Sequence, residues 1–260
     1  KIVFCDVDKN TFLMCENDLH NKVTKKTKVI LPVHLFGNVF NIAKLIKKLK
    51  KENIHIIEDS SQAHGSSYDG LKAGSQGYAS VFSFYPTKNI GAFGDAGSIT
   101  TNNKSLAFKL MEYRNYGLNK NKNRLSHYGN NFRMDEIQAL IINFKLEKIE
   151  KWNTHRNIIA NAYIKNLLDL PIQFQDVKAN VFSCYHVFSI VVPKKIRNKL
   201  FYYLQCKGIQ VSKYYNETLP MISGFLNTHQ KVKANFPNSY YLSQRNLSLP
   251  INHKISIKEV

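Results

Sequence analysis

Short apolar runs that end in acids, serines or glycines punctuate the first half of the chain. They predict strands near residues 2–7, 28–33, 54–58, 79–84 and 97–101. Between them apolar residues recur at helical spacing, which predicts helices near 40–52, 104–115 and 134–151. In the first of these, Ile42, Leu45, Ile46 and Leu49 share one face and the lysines take the other. Strands alternating with helices imply an α/β fold with a mainly parallel sheet flanked by helices. The glycine-bearing stretch from Gly65 to Gly77 has little periodicity and reads as a loop.

From about residue 155 the pattern changes. A helix near 154–168 leads to Pro171, a strand at 185–192 ends at Pro193, and a lysine-rich helix at 195–206 is closed by Gly208. Strand-like Ile209-Gln210-Val211 follows. This is the pattern of a smaller α+β unit, so residues 1–152 are expected to form a large domain and residues 153–260 a small C-terminal one. The long Met134–Trp152 segment would bridge the two.

The 260 residues suit one large domain or two small ones. The formal net charge of +19 draws attention to nucleic acid and anionic membranes as partners. Yet the lysines are scattered. The run at 44–51 is the solvated face of an amphipathic helix, and Lys120 to Arg124 reads as a polar loop; neither interleaves aromatics as a single-strand groove does. The expectation is therefore no nucleic-acid partner, and a basic protein that suits an anionic substrate. No apolar run is long enough to span a bilayer, and the opening residues do not read as a signal peptide. Cys5, Cys15, Cys184 and Cys206 lack metal-binding spacing and read as reduced packing residues, which points to the cytoplasm.

Two strand ends carry the chemistry. Ile54-His55-Ile56-Ile57 runs into Glu58 and Asp59, and Ala79-Ser80-Val81-Phe82 runs into Ser83 with Lys88 in the turn beyond. Ligands of open α/β sheets sit at the C-terminal ends of strands. A carboxylate at one end and an amine at the other are the minimum needed to hold pyridoxal phosphate, the amine as its covalent anchor and the acid on its ring nitrogen. Taken alone, Lys88 would be a surface lysine and Asp59 a helix N-cap as readily as a cofactor ligand.

The surrounding residues resemble the sugar aminotransferases of the DegT/DnrJ/StrS type. Glu58-Asp59-Ser60-Ser61-Gln62-Ala63-His64-Gly65 is similar to that family's E-D-A-A-Q-A-H-G. Phe82 through Asn89, with Gly91-Ala92 and Gly94-Asp95-Ala96-Gly97, is similar to F-S-F-Y-P-T-K-N-x-G-A-x-G-D-G-G. Pro32 to Gly37 and Gly129 to Ala139 match two further blocks, while Ser60 and Ser61 depart from the usual alanines.

The resemblance implies a pyridoxal-phosphate-dependent transferase of fold type I, lacking roughly a hundred N-terminal residues that hold the phosphate cup. It implies amino transfer from an amino acid, glutamate, to a nucleotide-linked keto-sugar for amino-sugar and surface-polysaccharide synthesis. It assigns Lys88 to the covalent link and proton transfer, Asp59 to the ring nitrogen, Gln62 to the ring hydroxyl and Ser83 to the phosphate. Asn131 would reach the phosphate in the partner subunit of a homodimer. His64, Tyr215 and His186 are candidates for the substrate side; a packing role is open for each histidine, and a turn role for Asn131. A related enzyme on a cyclitol or other keto compound, and a basic regulatory or nucleic-acid-binding protein, are the alternatives.

Overall fold

The computed structural model describes residues 1–50, 52–119, 128–222 and 233–260. The basic run at 120–124 lies outside them. Strands β1 (Val29–Ile30), β2 (His55–Asp59), β5 (Ala79–Ser83) and β6 (Gly97–Thr100) form one sheet in the order β1-β2-β5-β6. β1, β2 and β5 run parallel, and β6 closes the edge antiparallel to β5. The pairing of Asp59 with Val81 brings the ends of β2 and β5 side by side. This register sets the functional geometry, because the motifs after those strands then emerge at one rim.

Helices α1 (Glu16–Lys22) and α2 (Ile42–Lys48) cover the β1 side of this sheet. Leu19, Ile42 and Leu45 are buried against Ile30 and Ile56. Full burial of Ile42 stabilises this contact by about 2 kcal/mol. Asn41 starts α2 by accepting the Lys44 N–H on its side chain at 2.8 Å. Helix α3 (Lys104–Tyr113) follows the sheet. Helices α4 (Glu136–Leu146) and α5 (Ile149–Leu167) then pack Ile142 and Ile149 under the lysine loop, against Phe84, Ile90 and Ala92.

The second core sits between α5, the sheet β10-β9-β7, and helix α6 (Lys194–Cys206), with β7 at Gln173–Phe174, β9 at Phe188–Val191 and β10 at Asn246–Leu249. Ile159, Ala160, Leu247 and Val192 are its most buried apolar residues. Val187 and Val191 point from the other face of β9 toward Phe12 and Phe36, so residues on both sides of position 152 share a cluster.

Four local expectations need correction. Residues 2–7 form no strand; Val7 only bridges Met14, because the chain turns back after Asp8, whose carboxylate takes the N–H groups of Asn10 and Thr11. The stretch read as a loop at 65–77 contains a hairpin, β3 (Ser67–Tyr68) with β4 (Leu71–Lys72), and β3 also pairs with β8 (Val181–Phe182). The pairing partner lies more than a hundred residues away, so no local pattern announces it. The bridge helix expected at 134–151 breaks at residues 147–148 instead, and α5 then runs unbroken through Trp152 and Asn153. Finally, Ile209 to Val211 form no strand; the contact there is a bridge from Ser212 to Ser248.

Candidate active site

Neighbouring carboxylates on β2 face opposite ways, as strand geometry requires. Glu58 is fully buried. It accepts hydrogen bonds from His34 Nε2 at 2.9 Å and from the N–H groups of Gly74, Gln76 and Gly77 at 2.8, 2.9 and 2.6 Å. Burial alone would raise its pKa; the bonds from His34, Gly77 and Gly74 outweigh that and lower it. His34 Nδ1 accepts the Phe40 N–H at 3.1 Å, so His34 is a neutral structural residue. This pair holds the Gly74–Gly77 turn, just after the hairpin, in place and leaves Asp59 to the rim.

Asp59 stands at the end of β2, where Oδ1 accepts the Ser61 N–H at 3.0 Å. No helix follows, so it is not a helix cap; the segment after it is a series of turns. Ser60, one of the departures from the family pattern, has its hydroxyl satisfied by Ser80 Oγ at 2.8 Å, and Ser80 also donates to the Glu58 carbonyl. The extra oxygen therefore costs little in this buried spot.

Lys88 lies in the turn after β5, its N–H donating to the Tyr85 carbonyl at 2.8 Å. The turn is clamped from α4: Lys145 Nζ donates to the Gly91 carbonyl, and Gln138 Oε1 accepts the Phe93 N–H. The half-buried Lys88 amine has its pKa lowered by desolvation, against an opposing pull from Asp59 and then Cys184. The Asp59 carboxylate thus acts on Lys88 through space and without a direct ion pair. An amine and a carboxylate that share a field across a gap suit the two ends of one pyridine ring.

Two imidazoles stand beside that amine. His64 lies against Phe82 and Phe84, with ring centroids 5.6 Å away in each case. Its ring bonds the Ser83 backbone, while its Nε2 is buried with no partner. Burial and then the charge of Lys88 lower its pKa to about 4. His186 is lowered to about 3 by burial, Lys88, Arg156 and His64. Both rings are neutral at physiological pH.

Gln62 joins the rim to the C-terminal unit. Its Oε1 accepts the Phe36 N–H at 2.8 Å, and its Nε2 donates to Tyr215 Oη at 2.9 Å. Tyr215 stacks on Phe36 and lies in the field of Asp59. Asp59, Gln62, His64, Lys88, His186 and Tyr215 are therefore one cluster, with Ser83 at its edge, where Ser83 Oγ accepts the Tyr85 N–H at 3.3 Å. Asn131 makes its contacts elsewhere: it bridges Asn115, and its Oδ1 accepts the exposed Arg133 N–H. Cys184, Asn89 and Asn153 were not among the expected site residues. Asn89 was readable inside the lysine motif, whereas Cys184 and Asn153 come from distant segments and carry no local signal. The unpartnered His64 Nε2, the half-buried amine and the facing carboxylate together fit the polar groups of pyridoxal phosphate.

Residues 1–260 match the DegT/DnrJ/EryC1/StrS aminotransferase family. The chain is 34% identical over 257 residues to the "Pleiotropic regulatory protein" of Geobacillus stearothermophilus, covering 96% of this chain and 67% of that one. It is 32% identical over 232 residues to the dTDP-3-amino-3,4,6-trideoxy-alpha-D-glucose transaminase of Streptomyces venezuelae, covering 88% and 60%. Among solved structures, S. venezuelae DesV in complex with a ketimine intermediate superimposes with a TM-score of 0.91 at 29% identity, covering 99% of this chain and 68% of that one. The chain spans between 60 and 68% of the length of these proteins. The likeness bears out the expected α/β fold. Among the described residues, no helix is long and apolar enough to cross a membrane.

Proposed function

The chain belongs to the DegT/DnrJ/EryC1/StrS aminotransferase family, and from that premise we propose that the protein moves an amino group from glutamate to a nucleotide-linked keto-sugar. Pyridoxal phosphate, when bound, supplies the electron sink for such chemistry. The observation that carries this reading is the Lys88 amine, half-buried with a lowered pKa and facing Asp59 without an ion pair. An amine that sheds its proton readily is nucleophilic, and Lys88 Nζ would anchor the cofactor and then carry the proton of the donor's α-carbon. Asp59 would keep the proton on the ring nitrogen. Gln62 and Ser83 would bind the ring hydroxyl and the phosphate. Asn131 would reach the phosphate of the partner subunit in a homodimer. His64, Tyr215 and His186 would line the substrate side.

Residues 1–152 would be the cofactor-binding domain and residues 153–260 the small one, in a cytoplasmic enzyme. The transaminase name of the S. venezuelae relative supports a nucleotide-sugar substrate. The net charge of +19 suits its diphosphate. Lys88→Ala, with its fold intact by circular dichroism, is expected to lose both the visible absorbance of bound cofactor and the transfer of amino groups. Retention of both would refute the assignment.

A second reading follows from the regulatory name of the G. stearothermophilus relative and the same positive charge. It requires binding to duplex DNA that weakens steeply with salt, together with no cofactor spectrum.

A further inference from the structure

Beside Lys88 runs a line of buried amides with only one consistent orientation. Asn153 Nδ2 donates to the His64 carbonyl at 2.8 Å, so Asn153 Oδ1 must be the acceptor at its other end. That oxygen takes Asn89 Nδ2 at 3.3 Å, and the same Nδ2 group donates to the Cys184 carbonyl at 3.1 Å. Both neighbours of this Asn89 group are oxygens, so the amide cannot be flipped without setting oxygen against oxygen. Asn89 Oδ1 therefore faces His186 Nδ1, at 3.1 Å, and an oxygen there demands N–H on Nδ1. A neutral imidazole carries one N–H, so its Nε2 keeps a bare lone pair.

We propose that Asn153 and Asn89 lock His186 as the Nδ1-protonated tautomer, making it a positioning residue that offers a bare Nε2 lone pair, and no charge, in the neighbourhood of the Lys88 amine. The inference rests on Lys88 being the reactive group. A neutral ring leaves the charge of the nearby amine alone, whereas an imidazolium would repel a lysine ammonium. The groups that face His186 are Lys88 from the β5 turn, His64 from the β2 turn and Arg156 from α5, and its backbone bonds the Cys184 thiol of its own segment. The low pKa of His186 agrees with a ring that stays an acceptor through the working range. The histidine is bonded through the residue next to the lysine, so any shift of the Lys88 turn carries the imidazole with it.

The test is the ¹⁵N NMR signature of the cofactor-free protein, with His186 assigned from His186→Gln. The Nδ1–H tautomer is expected, unprotonated down to acid pH. Asn89→Leu removes the acceptor and should shift the ring toward Nε2–H. Asn89→Asp keeps the shape but adds a carboxylate, which should raise the pH at which His186 protonates. In the holoenzyme both variants should lower kcat between about ten- and a hundredfold, as misplacement of a reacting group does, with KM little changed. An Nε2–H tautomer in the unsubstituted protein, or an unmoved His186 titration in Asn89→Asp, overturns the proposal. The unsubstituted spectrum decides by itself should a variant fail to fold. A Lys88→Ala protein that still transfers amino groups would sink the assignment of Lys88 as the reactive amine and leave the tautomer result standing, so the two failures are distinct.

Discussion

His34 Nε2 and Glu58 Oε2 lie 2.9 Å apart with both side chains wholly removed from solvent. The pair sits one residue before Asp59, and its geometry explains why two consecutive carboxylates have separate tasks. One is consumed by structure, and the other is left at the rim beside Lys88.

Removal of the Glu58 carboxylate should therefore cost stability before it touches chemistry. Glu58→Ala leaves His34 and the N–H groups of Gly74, Gln76 and Gly77 without their acceptor, at about 1–3 kcal/mol for each group that stays buried. The folded pKa is depressed below the ordinary 4.5, so the stabilisation is present above that value and is lost as the pH falls below it. Urea unfolding from pH 7 down to pH 3 should show this acid loss. Glu58→Gln, which cannot ionise, should lack it.

The field between Asp59 and Lys88 has a direct readout. Asp59 opposes the depression of the Lys88 pKa, so its removal should depress that pKa further. In cofactor-free protein, acylation of Lys88 followed by mass spectrometry should titrate below the ordinary 10.5, and Asp59→Asn should move the midpoint lower still. A midpoint that moved up would contradict the shared field.

Tyr215→Phe removes the partner of Gln62 Nε2 and little else, because the Phe36 stack survives. The expected loss is about 1 kcal/mol in a thermal or urea melt. Calorimetry should also show altered affinity for pyridoxal phosphate, since Gln62 is freed at the ring-hydroxyl position. Unchanged cofactor affinity would separate Gln62 from the cofactor.

Gly91 packs against the backbone of Pro86, within the turn that presents Lys88. A Cβ there would clash with the Pro86 carbonyl and meet its Cα at 2.9 Å, none of which belongs to a flexible side chain. Gly91→Ala should cost about 1–3 kcal/mol as overpacking and weaken cofactor retention, measured by absorbance after gel filtration. Gly70→Ala is the control in a turn away from Lys88: open space surrounds that exposed position, but its positive φ disfavours alanine. It should cost stability and leave cofactor retention unchanged.

Much of the site was legible because it is local. Lys88, Asp59 and Gln62 fall in compact motifs behind strands, and a strand followed by a turn is readable from the alternation of apolar and polar residues. The helices were legible for the same reason, with α3 and α6 within a residue or two of expectation at each end. The hairpin at 67–72 was not, because its third strand is supplied by Val181–Phe182. Nor was the continuity of α5 through Trp152, which is held by burial of Ile149 and Asn153 on surfaces far away in the chain.

Local periodicity determined the α/β architecture and the position of the amine and the acid, and the resemblance of the motifs around them pointed to the family. Tertiary structure alone decided which carboxylate is free, since that depends on His34 and the Gly74–Gly77 turn converging on Glu58. It alone brought Cys184, His186 and Tyr215 to Lys88, and it alone oriented the amides of Asn89 and Asn153. Hydrogen-bond direction and desolvation are properties of neighbours in space, and a linear pattern carries only neighbours along the chain.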